Sequence, residues 1–99
     1  MAVNHLVWFK FNEGVPAERI AAHLQALQTL AAQVPGILAL NLGSNFTQRA
    51  EGFTHGLVVT LRDRQALADY AVHPYHVAVA TEIGKDAQVR ALDYEFDPA

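Results

Sequence analysis

The chain has 99 residues, 52% of them apolar and 17% charged, and it contains no cysteine. It therefore reads as one compact domain without disulfides, thiolate nucleophiles or cysteine-bound metal, and so small a core needs tight packing or a partner subunit. Seven Lys and Arg against ten Asp and Glu give a net charge of −3 with no basic run, which argues against nucleic acid, and no apolar stretch is long enough for a membrane span.

With no basic-then-apolar leader at its start, the chain is expected to be unexported and cytoplasmic. Residues 3–11 are expected to form the first strand. Val3, His5, Val7, Phe9 and Phe11 share one face and Asn4, Leu6, Trp8 and Lys10 the other. Both faces carry large apolar groups, so both sides of the sheet need cover. Pro16 suits the first turn of a helix in which Ile20, Leu24, Leu27, Leu30 and Val34 recur at helical spacing, ending at Pro35-Gly36. His23 is expected on its exposed side. A strand over 37–42 places Leu38, Leu40 and Leu42 together. After a polar loop, a strand over 53–61 places Phe53, His55, Leu57, Val59 and Leu61 on one face.

Asp63 is expected to cap a helix containing Leu67 and Tyr70, with the Arg62-Asp63-Arg64 run otherwise solvated. Pro74 interrupts that helix. A second helix over 75–84 aligns His76, Val79, Ala80 and Ile83, and residues 89–96 close the chain as a fourth strand. The order β-α-β-β-α(α)-β is that of an α+β, ferredoxin-like protomer. Its four-stranded antiparallel sheet carries helices on one face only. A second subunit's sheet would cover the other face, where Trp8 points. A homodimer is therefore expected.

The chemistry concentrates after Tyr70. If Pro74 starts a helix with His73 near its cap, His76 falls in the first turn, where the positive end of the helix keeps an imidazole neutral and able to accept a proton. Tyr70 is then placed to donate to a carbonyl or enolate oxygen while His76 acts as base. The competing reading is a capping histidine and a half-buried tyrosine with no catalytic part. His5 and His55 lie on the same face of neighbouring central strands, and Asp93 stands beside His5 to accept its ring N–H. A two-histidine, one-carboxylate iron site is the metal alternative, but no His-x-His or His-Glu-x-x-His spacing supports it.

The segments HLVWFKF at 5–11, VPGILALNLGSNF at 34–46, FTHGLVV at 53–59 and DYAVHPYH at 69–76 resemble the stress-responsive dimeric α/β-barrel (Dabb) family over nearly all of residues 1–99. The resemblance implies two protomers packed sheet to sheet as a dimeric α/β-barrel. Some members of that family cyclise polyketide chains without metal or organic cofactor. By that analogy His76 is the base and Tyr70 the catalytic tyrosine, with His5, His55 and Asp93 around the substrate. Leu27 stands where those cyclases carry a tyrosine, and His23-Leu24 where they carry two phenylalanines, so the substrate would differ. The expected function is a cofactor-free lyase or cyclase acting on a small carbonyl compound. A non-catalytic, ligand-binding or stress-associated dimer is the alternative, and a cofactor-independent monooxygenase a weaker third.

Overall fold

The computed structural model describes residues 1–99. Eight elements follow in chain order: β1 (Ala2–Phe11), α1 (Ala17–Gln28), α2 (Leu30–Gln33), β2 (Ile37–Ser44), β3 (His55–Leu61), α3 (Arg64–Val72), α4 (Pro74–Gly84) and β4 (Ala87–Phe96). The strands form one antiparallel sheet in the order β2-β3-β1-β4. All four helices lie on one face, which is the expected ferredoxin-like arrangement. None of them is long and apolar enough to cross a membrane.

The core follows from strand alternation. Val7 and Phe9 of β1 and Leu57, Val59 and Leu61 of β3 point toward the helices, where Leu27, Leu30, Ala66, Tyr70 and Ile83 meet them. Burying each of the Val, Leu, Ile and Phe side chains among them contributes roughly 1.5–3 kcal/mol. On the other face Trp8, Leu92 and Tyr94 remain exposed. A polar stripe crosses that face, in which Thr60 Oγ1 donates to Asn4 Oδ1 at 2.7 Å and Asn4 Nδ2 to the Tyr94 hydroxyl at 2.9 Å.

Three local features depart from the expected elements. The first helix does not run unbroken to Val34, because Thr29 turns its side chain onto the Ala26 carbonyl at 2.6 Å and separates α1 from α2. The Tyr75 hydroxyl, 2.5 Å from Thr29 Oγ1, ties α4 to that break. Leu38 does not join Leu40 and Leu42. A bulge between Ile37 and Ala39 leaves it unpaired and 61% exposed, and Ile37 takes the core position opposite Leu61. Phe53 precedes β3 and packs with Trp8 and Arg90 on the outer face instead of with His55 and Leu57.

The turn into β2 needs glycine for two reasons. Gly36 has φ +88°, and a Cβ there would lie 2.8 Å from that of Ala66 in α3. This close approach lets α3 settle onto the sheet, which carries Tyr70 toward His5.

Candidate active site

The junction of α3 and α4 builds the site. Asp63 caps α3 by accepting from the Ala66 amide at 2.8 Å. His73 ends α3 and caps α4, its Nδ1 accepting from the Tyr75 amide at 3.1 Å, with Pro74 as the first helical residue. Two helices capped back to back this way put Tyr70, the last buried residue of α3, against His76, in the first turn of α4. Their ring centroids are 4.1 Å apart. On its other side Tyr70 meets His5 of β1 edge-on at 5.5 Å.

The two histidines are each oriented by a single bond. His76 Nδ1 donates to the Ala71 carbonyl at 3.3 Å, so the neutral ring keeps its lone pair on Nε2. His5 Nδ1 pairs with Asp93 Oδ1, directly opposite it across the β1–β4 ladder. Tyr70 is only 2% exposed, yet its hydroxyl has no partner in the chain. No fully buried polar side-chain atom lacks a partner, so that hydroxyl opens onto the cavity beside it.

The cavity measures about 320 Å³. His5, Val7 and Phe9 of β1, with Leu57 and Val89 from the flanking strands, form its floor. Leu27 of α1, Tyr70 of α3 and His76, Val79, Ala80 and Ile83 of α4 form its walls, and Gly84 closes it. The polar groups gather at one end and hydrocarbon fills the rest. Burial pushes the Tyr70 hydroxyl up to about 12, with the Asp93 carboxylate adding to the shift, so tyrosine is a donor at any ordinary pH. Burial also lowers the His76 pKa, against the opposing Ala71 carbonyl bond and with smaller help from His5 and His73. The sequence argument expected a neutral His76 because of the helix start. The ring is held neutral, but desolvation is the main cause.

The structure brings His5, Tyr70, His76 and Leu27 to one cavity and leaves His55 outside it. His55 shares the core face of the sheet, but it pairs with Phe9 whereas His5 pairs with Val59. Four residues along β3 amount to about 13 Å. His55 instead stands edge-on to Phe11 at 5.4 Å with Nδ1 2.8 Å from Thr54 Oγ1, and partial burial lowers its pKa. Asp93 does not line the cavity itself and reaches it through His5.

His23 is not a surface residue either. Its Nε2 lies 2.7 Å from Asp86 Oδ2, its ring stacks on Phe11, and Arg19 donates to the same carboxylate oxygen. His23 and Arg19 together hold the Asp86 carboxyl below its ordinary range. Nothing in the sequence periodicity pairs His23 with a residue 63 positions away. The charged run is less idle than expected, since Arg64 donates to Glu95 of β4 at 2.6 Å and lowers its pKa. Sequence reasoning did not assign Val79, Ala80 or Ile83 to the site. Their alignment with His76 on one helical face was the available sign that they line the site. No three His, Asp or Glu side chains converge as a metal site would require.

The sequence pattern of the stress responsive A/B barrel domain matches residues 3–96. Olivetolic acid cyclase of Cannabis sativa is 26% identical over 100 residues, which cover 99% of this chain and 98% of that one. Among solved structures, a dimeric ferredoxin-like protein from Jannaschia sp. CCS1 superposes with a TM-score of 0.84 at 27% identity, covering 97% of this chain and all of that one. The hydroxynitrile lyase of Passiflora edulis superposes with a TM-score of 0.90, covering 99% and 95% of the two chains. At 18% identity that likeness concerns the fold alone.

Proposed function

The chain belongs to the stress responsive A/B barrel domain family, and we propose that it works as a cytoplasmic homodimer that catalyses a cofactor-free lyase or cyclase reaction on a small carbonyl compound. The observation that carries this reading is the pairing of a free His76 Nε2 with an unpartnered Tyr70 hydroxyl at one end of a hydrocarbon-lined cavity. His76 takes a proton from the carbon beside the substrate carbonyl. Tyr70 donates a hydrogen bond to that oxygen as it gains charge, which lowers the barrier most because the donor is already in place. The enolate carbon then forms a bond to a second carbonyl carbon; the lyase direction runs these steps in reverse, His76 first taking the hydroxyl proton and then returning it to the enolate carbon once the carbon–carbon bond has broken. In the bond-forming direction, the new alkoxide recovers the proton held by His76, so no proton is gained or lost. Asp93 fixes the ring of His5, which borders the same oxygen site.

The exposed apolar face around Trp8 and Leu92 supports the dimer, as does the description of the Jannaschia protein as dimeric. The relation to a cyclase at 26% identity supports the reaction class. The alternative is a dimer that only holds a ligand in this cavity. Deuterium exchange separates the two. Wild-type protein incubated in heavy water with benzylacetone should accelerate exchange of the protons beside the carbonyl, and His76→Ala should not. No acceleration by the wild type favours the ligand-binding alternative.

A further inference from the structure

We infer that, within the reading proposed above, the cavity takes an uncharged carbonyl compound with a hydrocarbon tail and turns away carboxylates of the same shape. The first reason is charge. None of the chain's cationic side chains reaches the cavity: Arg19 is held by Asp86, Arg64 by Glu95 and Lys85 by Glu82, and Arg62 lies near Asp63. Lys10 and Arg90 lie over the Phe53 ring on the opposite side of the sheet, and Arg49 lines the hollow there. The one formal charge close behind the cavity is negative, on Asp93. An anion entering would lose its hydration and meet no countercharge.

The second reason is hydrogen-bond matching. At the polar end the Tyr70 hydroxyl is a donor and His76 Nε2 an acceptor, beside the His5 ring, whose Nδ1 is taken by Asp93. A carbonyl compound with an acidic C–H or a neighbouring O–H supplies the complementary set. A carboxylate offers only acceptors and leaves the imidazole nitrogen facing another lone pair.

The class also makes a pH prediction. His76 faces Tyr70 from α3, His5 with its Asp93 partner from the sheet, and His73 at the helix cap. Protonating His76 supplies the missing positive charge, so carboxylates should gain relative to neutral ligands as pH falls through its titration. Burial lowers that titration below the usual histidine value.

The test uses three probes of one shape: benzylacetone, hydrocinnamide and hydrocinnamate. Each is titrated into the full-length protein and followed by amide and histidine-ring NMR. At about pH 7.5 the ketone and amide should shift the His76 and Tyr70 signals, with hydrocinnamate about tenfold weaker or more. The gap should narrow in acid for the wild type and not for His76→Gln. Hydrocinnamate binding as tightly as the neutral probes, or no binding by either neutral probe, overturns the inference. Proton exchange keeps the two claims apart. Neutral selectivity without exchange of benzylacetone leaves the ligand class standing and removes the enzyme. Exchange with equal binding of the anion does the reverse.

Discussion

His76 and Tyr70 lie with their ring centroids 4.1 Å apart across the α3–α4 junction, at an interplanar angle of 35°. Both rings line the same cavity, so on the proposed mechanism their substitutions should be coupled. With a carbonyl substrate that turns over, His76→Ala should reduce kcat by about a hundredfold to ten-thousandfold while changing binding little. Tyr70→Phe should lose less, and the double variant should fall short of the product of the two single effects. Steady-state kinetics of the four proteins measures this. Multiplicative losses would mean that the residues act independently.

The pH profile has a worked sign. On the proposed mechanism turnover needs neutral His76, whose pKa burial lowers from the ordinary 6.5, so the acid limb of kcat should lie below that value. Tyr70, pushed up to about 12, should add no alkaline fall in the ordinary working range. An acid limb above 6.5 would assign the base to another group.

The apolar outer face predicts association. Sedimentation should show a dimer at micromolar concentration, and Trp8→Glu should abolish it or prevent folding, since it would place an unpaired charge between two sheets. A wild type whose mass stays that of a monomer at every concentration would remove the barrel arrangement.

Leu27 is 4% exposed and belongs both to the core and to the cavity wall. Leu27→Ala should cost about 2–5 kcal/mol in urea denaturation and shift ligand preference toward bulkier tails. Unchanged stability would mean that α1 relaxes into the vacated space.

Asp86 joins α1 to the turn before β4 through Arg19 and His23. Its folded-state pKa is depressed, so its contribution to stability is present above the ordinary value of 3.8 and is lost as pH falls through the folded one. Asp86→Asn should therefore be less stable than the wild type at neutral pH, with the difference closing in acid. Thermal unfolding across that range checks the sign. The depressed pKa of His76 works in the same direction higher up, its contribution being present above 6.5 and lost as pH falls through its folded value.

What local sequence determined here is what depends on parity and near neighbours. The alternation of Val3 to Phe11 gave the two faces of β1, Asp63 and Pro74 marked the two helix starts, and the spacing from His76 to Ile83 placed those residues on one face of α4. Tertiary structure decided whatever depends on distance along a strand or on partners remote in the chain. His5 and His55 have the same parity, but the β1–β3 register sets them about four residues apart, and parity carries no information about that offset. The bulge that expels Leu38 arises from pairing with β3, not from any residue preference at that position. His23 is half-buried because folding brings Asp86 beside α1. His76 is kept neutral chiefly by the walls that close over it, a desolvation that exists only once α1, α4 and the sheet have packed together.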